Sequence, residues 1–363
     1  MSMLFSPIQI GPLTLPNRIV IPPMCTYSAK AGLVQDWHLM HYGQMAFSGA
    51  GMLIVEVTAV DPAGRITDRE LGLWSDAAEQ SFAGLLRSIR AHSSMPVAVQ
   101  LGHAGRKGSQ QVAWLGGRQL PFSGGGWQTV APSAMPFNAD DLPPEALSVE
   151  AIKGIVRLFA QAAERAGRAG FDCVEMHAAH GYLLHQFLSP LSNVRSDAYG
   201  GSLENRMRLP LEIFEAMRAA FPADRPVGAR LSATDWMESG WTVEESIELT
   251  KELKRRGCAY ISVSSGGLAA DQQVRLGPGY QVEFAAKIKA ATGLSTIAVG
   301  LITEAPQAEQ ILISGQADMV ALGRAMLYNP HWPWQAAAQL GDRVTAPPQY
   351  WRSAPSGVKN LFQ

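Results

Sequence analysis

Two histidines and a tyrosine are closely spaced in the segment EMHAAHGY, residues 175–182. A strand-like run ends at His177, so we expect these side chains at the carboxyl end of a strand. The two histidines could bind a metal ion with Glu175 as a third ligand. As neutral donors, they could instead hydrogen-bond one carbonyl oxygen while Tyr182 supplies a proton. A third alternative is structural, with buried histidines that bond only to the backbone.

Glycines that follow two later apolar runs indicate an anion site. Gly300 follows one run, and Gly323 with Arg324 follows the next. Glycine lets backbone N–H groups approach an anion, and arginine can donate two hydrogen bonds to phosphate oxygens. The residues therefore predict a phosphate site, although a turn with a solvated arginine is the alternative. Further candidates at the ends of apolar runs are Met24, Cys25, Tyr27, Thr58, Ala59, Gln100, His103, Arg230, Ser264 and Ser265.

Strand-like runs alternate with helix-like amphipathic stretches along the whole chain. The strand-like runs are residues 18–21, 52–56, 97–101, 173–177, 227–231, 260–263, 296–299 and 319–322. The helix-like stretches are residues 39–47, 77–91, 149–169, 203–220, 243–256, 281–291 and 305–313. This alternation predicts an α/β fold, a single (β/α)₈ TIM barrel spanning residues 1–363. An open doubly wound sheet fits less well, because Pro22-Pro23-Met24 follows the first run where a glycine-rich turn would be needed.

One connection, residues 102–148, is much longer than the others. It follows the third run and contains three consecutive glycines, Trp114 and Trp127. Long loops in compact domains are often functional, and the active sites of barrels lie at the carboxyl ends of the strands. We therefore expect a rim or lid over the site, with a plain surface excursion as the alternative.

The composition excludes several classes of protein. The chain has 363 residues, of which 47% are apolar and 17% charged, with a formal net charge of -1. The basic residues are scattered and the net charge is near zero, so the sequence gives no indication of a basic patch that would bind nucleic acid or an anionic membrane. Three cysteines are too few for a disulfide framework or a four-thiolate iron–sulfur cluster. With no signal-like start and no long apolar run, we expect a cytoplasmic protein.

Four segments together resemble the old yellow enzymes. They are PPMCTY (22–27), QLGHAGRK (100–107), HAAHGYLLHQFLSPLSNVRSDAYGGSLENR (177–206) and the terminal GR (323–324). The cysteine in the first segment and the His-x-x-His in the third are typical of the thermophilic-like or xenobiotic-reductase-like branch. The resemblance implies a barrel with noncovalent FMN, reduced by NADPH or NADH. It also implies hydride transfer to the β-carbon of α,β-unsaturated carbonyl compounds.

The resemblance also implies roles for individual residues. His177 and His180 would donate hydrogen bonds to the substrate carbonyl, Tyr182 would protonate the α-carbon, and Tyr27 would contact the substrate. Cys25 would tune the flavin, although a buried cysteine is often just a small apolar side chain. The residues around the flavin ring would be Pro22, Pro23, Met24, Cys25, Ala59, Gln100, His177 and Arg230, and those at the phosphate Gly300, Gly323 and Arg324.

The C-terminal segment PPQYWRSAP resembles the one through which related enzymes place an arginine in the neighbouring subunit's site. Arg352 is the matching residue, and Trp351 would lie on the rim of that site. We therefore expect a homodimer or homotetramer, with the tail at residues 341–363 in the interface.

Two functions of other classes are alternatives. The first is a metal-dependent barrel hydrolase or lyase built on Glu175, His177 and His180. Few further ligands follow the other strands, which counts against it. The second is a noncatalytic flavin- or ligand-binding barrel, which the presence of His177, His180 and Tyr182 disfavours. The physiological substrate and the preferred nicotinamide are not specified by these residues.

Overall fold

In the computed structural model, which describes residues 2–363, eight parallel strands close into one barrel. The described residues form twelve strands in all, of which β1, β2, β6 and β7 lie outside the barrel: β1 (Ile8–Ile10), β2 (Leu13–Leu15), β3 (Ile19–Ile21), β4 (Met52–Ala59), β5 (Val97–Gly102), β6 (Val130–Ala131), β7 (Glu145–Ala146), β8 (Cys173–Ala178), β9 (Val227–Ser232), β10 (Tyr260–Ser264), β11 (Ser295–Val299) and β12 (Met319–Ala321). The barrel order is β3-β4-β5-β8-β9-β10-β11-β12, and β12 pairs with β3 to close it. The predicted (β/α)₈ fold is therefore confirmed.

Helices on the outside of the barrel connect most successive strands. They are α1 (Asp36–Ala46), α2 (Asp76–Arg90), α3 (Val149–Ala169), α4 (Leu183–Leu188), α5 (Leu203–Ala220), α6 (Val243–Arg255), α7 (Val282–Thr292), α8 (Ala305–Ile313), α9 (Arg324–Tyr328) and α10 (Trp332–Leu340). Within residues 2–363, no helix is both long enough and apolar enough to cross a membrane.

Local capping residues explain why the predicted helix boundaries agree closely with the observed ones. The Ser148 side chain accepts a hydrogen bond from the Ala151 N–H at the start of α3, which satisfies a free helix donor. The same helix ends at Gly170, whose φ of 102° favours a residue without a Cβ atom. At α6, Thr242 and Glu245 form a reciprocal capping box.

A short hairpin, β1 paired with β2, plugs the amino-terminal end of the barrel. Ile10 and Leu15 of this hairpin are fully buried in a cluster with Met52, Tyr260 and the first residues of other barrel strands. This hairpin was not predicted, because two three-residue runs are too short to give a recognisable sequence pattern. Burial of its apolar side chains stabilises the closed end of the barrel.

The long connection between β5 and α3 contains mostly turns. Three short 3₁₀ turns occur at Gly105–Lys107, Ala113–Leu115 and Phe122–Gly124. The two-residue strands β6 and β7 pair in parallel and return the chain to α3. The connection leaves the carboxyl end of β5, the end at which the candidate site residues lie.

Candidate active site

His177 and His180 lie together at the carboxyl end of β8. Their rings meet edge to face with centroids 5.1 Å apart, and His177 Nε2 is 3.4 Å from His180 Nδ1. His180 Nε2 is also 2.7 Å from the Ser264 hydroxyl at the end of β10. The β8 and β10 loops therefore present one connected polar cluster toward the barrel axis.

Hydrogen bonding defines the donor of His177. Its Nδ1 accepts the backbone N–H of Ala179 at 3.2 Å, so in the neutral ring Nε2 carries the proton. Burial and the nearby positive charge of Arg230 lower the pKa values of both His177 and His180 well below the usual value. Both imidazoles are consequently neutral near pH 7, and the His177 Nε2–H group faces His180 Nδ1 as its acceptor.

Tyr182 and Tyr27 border a cavity beside the histidine pair. The Tyr182 ring meets the His177 ring edge to face at 5.1 Å. The cavity measures about 210 Å³, and its walls include both tyrosines, Lys107 and Phe137. Burial raises the pKa of Tyr182 well above its usual value and raises that of Tyr27 in the same way. Both phenols therefore keep their protons at neutral pH.

Cys25 lies next to these tyrosines, in the loop after β3. Together with Tyr27 and Tyr182 it packs against a small apolar cluster that includes Val57 and Ile66. Burial and the negative charge of Glu56 raise the pKa of Cys25 well above its ordinary value. Cys25 is therefore a neutral thiol rather than a reactive thiolate.

Arg230 supplies a buried positive charge near the middle of the site. It lies in β9, in register with His177 of β8, and Glu175, two residues before His177, is in register with Gln100 of β5. Gln100 Nε2 donates to Glu175 Oε1 at 2.7 Å, while burial raises the pKa of Glu175 despite the opposing charge of Arg230. Within the described chain, Arg230 Nε is buried and has no hydrogen-bond partner. An unpartnered buried guanidinium N–H group indicates a missing acceptor.

The predicted phosphate residues surround a second cavity, of about 370 Å³, that also reaches Arg230. Gly300 has a φ of 125°, and a Cβ there would lie 2.9 Å from Gln281 Nε2, so only glycine suits this position. A Cβ on Gly323 would lie 3.5 Å from the sulfur of Met24. Arg324 is exposed at the rim. The same cavity is thus lined by glycines that suit an anion and by the buried, positively charged Arg230.

These features fit FMN. The unpartnered Arg230 N–H could donate to a flavin carbonyl, and the Gln100 amide provides both donor and acceptor for the pyrimidine edge. The glycine-lined cavity with Arg324 at its rim suits a phosphate. Pro22 and Met24 lie beside Gly323, and Pro23 lies between them in the chain. Ala59 ends β4 and is fully buried, with backbone hydrogen bonds to Leu71 and Leu73.

The metal alternative has no support from the geometry. Glu175 pairs with Gln100, one layer below the histidines, instead of joining them. Between residues 2 and 363, no group of three His, Cys, Asp or Glu side chains is arranged to hold a metal ion. His103 of the strand-end candidates accepts the backbone N–H of Gly105 and has a pKa lowered by burial to about 4, so it stabilises its own turn.

Glu56 and Lys107 also support the site, although neither was predicted from the sequence. Glu56, buried within β4, accepts hydrogen bonds from the Thr26 N–H and hydroxyl at 2.7 Å each and from Tyr42 at 2.9 Å. It anchors the loop that carries Cys25. An acidic residue inside an apolar run was the available signal for Glu56. Lys107 lies in the segment QLGHAGRK, but its partners are backbone carbonyls and no residue type indicates them.

The C-terminal tail lies at the opposite end of the barrel. Residues 345–348 line a cavity with Phe47 and Gly49, just before β4 begins. Tyr350 packs against Trp334, with ring centroids 5.6 Å apart, whereas Arg352 is exposed. The chain therefore does not bring Arg352 or Trp351 together with its own His177 cluster.

Comparisons with known proteins agree with this geometry. The sequence matches the NADH:flavin oxidoreductase / NADH oxidase family over residues 3–343. An NADPH dehydrogenase from Geobacillus thermodenitrificans (strain NG80-2) is 42% identical over 353 residues, covering 97% of this chain and 98% of that protein. One from Bacillus subtilis (strain 168) is 43% identical over 351 residues, covering 96% and 98%.

Among solved structures, morphinone reductase superposes with a TM-score of 0.78 at 31% identity, covering 100% of this chain and 96% of that chain. Sequence similarity, barrel architecture and a cavity suited to FMN all agree. The chain therefore belongs to the NADH:flavin oxidoreductase / NADH oxidase family, the old yellow enzymes, and is an FMN-dependent oxidoreductase that takes its electrons from a nicotinamide cofactor.

Proposed function

We propose that this enzyme is an NADPH dehydrogenase of the ene-reductase type, which reduces the C=C bond of α,β-unsaturated carbonyl compounds. The observation that carries the proposal is the grouping of two neutral histidines and a protonated tyrosine beside the cavity that suits FMN. Hydrogen-bond donors and a proton donor are the groups that such a reduction needs around a carbonyl substrate.

FMN would be held at the carboxyl end of the barrel, with its phosphate in the cavity lined by Gly300, Gly323 and Arg324. When bound and reduced, FMN would supply the hydride for the β-carbon of the substrate, and the residues around it would supply the electrostatic setting. Arg230 would stabilise the negative charge of the reduced flavin, because its buried Nε–H group has no hydrogen-bond partner among the described residues and is free to donate to the ring. Proposed ring contacts are Pro22, Pro23, Met24, Cys25, Ala59, Gln100, His177 and Arg230; proposed phosphate contacts are Gly300, Gly323 and Arg324.

His177 and His180 would stabilise the oxygen of the substrate carbonyl. Negative charge grows on that oxygen as the β-carbon accepts hydride, and neutral imidazole N–H groups can donate to it. The His177 Nε2–H group is already oriented by the bond to Ala179 N–H. His177 Nε2 faces His180 Nδ1, and His180 Nε2 faces the Ser264 hydroxyl, so a substrate oxygen would have to replace both of these partners.

Tyr182 would deliver the proton to the α-carbon. Its phenol is protonated, and its ring packs edge to face on His177, which fixes its position relative to the carbonyl donors. Tyr27 would contact the substrate from the other side of the same cavity. Residues 102–148 would act as a rim or lid, because Ala113 and Phe137 of this connection also line the cavity.

The C-terminal tail would complete the site of a neighbouring subunit. Arg352 is exposed and follows a segment packed at the amino-terminal end of the barrel, away from its own active site. We therefore propose a homodimer or homotetramer in which Arg352 and Trp351 approach a partner's substrate pocket. Truncation after residue 349 should then weaken both assembly, measured by sedimentation, and substrate affinity. Loss of neither would remove this part of the proposal.

Anaerobic absorption spectroscopy tests the proposed reaction. FMN-loaded protein should bleach on addition of NADPH and regain its colour when cyclohex-2-enone is added, with cyclohexanone as the product. Bleaching without enone-dependent recovery would leave an NADPH oxidoreductase with a different electron acceptor. Absence of bleaching would favour a barrel that binds flavin without turnover.

A further inference from the structure

Two adjacent cations, Arg106 and Lys107, hold together loops that come from three distant parts of the chain. Both residues lie in the 3₁₀ turn Gly105–Lys107, directly after β5. Lys107 Nζ donates to the carbonyl oxygens of His180 and Gly267, at 2.9 Å each. The His180 and Gly267 carbonyls belong to the β8 and β10 loops, so one ammonium group bridges two strand ends.

Arg106 makes the complementary contacts. Its guanidinium donates to the carbonyl oxygens of Met135 and Pro136 at 3.3 and 3.2 Å, and to that of Leu268 at 2.8 Å. Met135 and Pro136 are part of the long connection after β5. The two side chains thus bind five backbone carbonyls, and we call this arrangement the cationic clamp (Arg106 and Lys107).

The two loops bridged by Lys107 touch backbone to backbone. A Cβ atom on Gly181 would lie 2.1 Å from the Gly267 carbonyl oxygen, and one on Gly267 would lie 2.6 Å from the His180 Cα. His180 itself has a φ of 58°, which is unfavourable for a residue with a side chain. Such a conformation persists only where surrounding contacts hold it. The Lys107 bond to the His180 carbonyl is one of those contacts.

The clamp is cationic without a direct counter-charge. Within residues 2–363, neither Arg106 nor Lys107 forms a salt bridge, and Lys107 Nζ lies 4.6 Å from the Phe137 ring and 5.2 Å from the Tyr182 ring. Burial and the neighbouring charge of Arg106 lower the pKa of Lys107 to about 8. The titratable groups that face it are Arg106, His177, His180 and Tyr182.

We propose that Lys107 is a positioning residue for the oxidative half-reaction. Its ammonium group holds the His180 backbone in the conformation that directs the imidazole into the site, and it adds positive potential where charge develops on the substrate oxygen. The electrostatic part rests on the proposed alkene reduction, whereas the clamping of the β8 loop to the β10 loop does not.

Three variants separate these contributions. Lys107→Met removes the charge and the donors, Lys107→Arg keeps the charge, and Lys153→Met removes an exposed lysine on α3 as a control. Hydrogen–deuterium exchange of FMN-loaded protein, without substrate, reports on the clamp. We expect faster exchange in peptides covering residues 178–184 and 264–270 for Lys107→Met alone, with partial protection restored by Lys107→Arg.

Stopped-flow reoxidation by cyclohex-2-enone reports on the chemistry. Lys107→Met should slow this step by roughly tenfold or more, as expected for the loss of charge-assisted hydrogen bonds, while reduction by NADPH changes less. In the wild type the step should decline as the pH rises through about 8, because the lysine then loses its charge. That decline should vanish in Lys107→Met and move to higher pH in Lys107→Arg.

The outcomes distinguish the two claims. If wild-type protein is not reoxidised by the enone, the proposed function fails, and exchange alone still decides whether Lys107 clamps the loops. If Lys107→Met has the same hydrogen–deuterium exchange and the same reoxidation rate as the wild type, the inference is overturned. Slower reoxidation that keeps the decline near pH 8 would overturn the electrostatic role of Lys107.

Discussion

The two ends of the barrel differ in the kinds of residue that they bury. At the amino-terminal end, the β1–β2 hairpin buries Ile10 and Leu15 among apolar side chains. At the carboxyl end, loops hold buried charges and uncommon backbone conformations instead. Residues other than glycine with positive φ follow five of the barrel strands: Tyr27, Ser109, His180, Trp236 and Leu301.

This difference separates stability from chemistry. The apolar end gains free energy from burial and needs no polar partners. The polar end carries groups that lack partners within the chain, of which Arg230 Nε is the clearest. Strain and unsatisfied polar groups concentrate where a ligand is to be bound. Substitutions at the two ends should therefore change different measurable quantities.

The largest effect should come from Tyr182→Phe at the polar end. Removing the phenol proton should slow reoxidation by the enone about 10²- to 10⁴-fold, the usual contribution of a general acid. Reduction by NADPH should change little, because that step needs no proton from Tyr182. Anaerobic stopped-flow absorption measures both half-reactions separately. Equal slowing of the two would contradict the role of Tyr182, and Tyr328→Phe, whose side chain is 94% exposed, provides the control.

At the apolar end, Ile10→Ala should reduce stability rather than activity. The fully buried side chain leaves a cavity when truncated, which costs about 2–5 kcal/mol of the free energy of unfolding. Urea unfolding measures that loss, and the rate per bound FMN below the transition should remain that of the wild type. A large loss of turnover with unchanged stability would contradict the assignment of stability to this end of the barrel and activity to the other.

A smaller effect is expected for Arg324→Met at the rim of the phosphate cavity. Loss of a hydrogen bond from a charged donor costs about 1.5–3 kcal/mol, which corresponds to FMN binding weakened about 10- to 150-fold. Fluorescence titration of the apoprotein with FMN measures the affinity, and Arg87→Met on α2 provides an exposed control. Unchanged affinity would mean that Arg324 is only a solvated charge.

The smallest effect should follow from Cys25→Ser. Cys25 is a neutral thiol beside Tyr27 and Tyr182, so the substitution changes the polarity near the flavin without removing a reacting group. We expect a measurable shift of the flavin midpoint potential in a spectroelectrochemical titration, with the proton-transfer step retained. An unchanged potential would indicate that Cys25 only fills space.

Much of the fold followed from periodicity because buried parallel strands have short apolar sequences. The run predicted at residues 97–101 is β5, and the stretch predicted at residues 149–169 is α3 with identical bounds. The β1–β2 hairpin escaped prediction because IQI and LTL are too short to give a pattern.

The site was predictable where its chemistry requires particular side chains, but not where the contacts are hydrogen bonds to backbone atoms. His177, His180 and Tyr182 were identified by residue type and spacing, and the structure brings them together. The partners of Lys107 are carbonyl oxygens of His180 and Gly267, which any residue could provide. Contacts of that kind depend on how loops from separate strands meet in space.

Reoxidation in heavy water tests the central claim most directly. Wild-type protein, reduced anaerobically with NADPH and then mixed with cyclohex-2-enone in D₂O, should regain its flavin absorption and release cyclohexanone. The product should carry deuterium at the α-carbon, delivered through the exchangeable phenol proton of Tyr182, whereas the product formed in H₂O should carry none. Unaltered enone with a flavin that stays reduced would contradict the account.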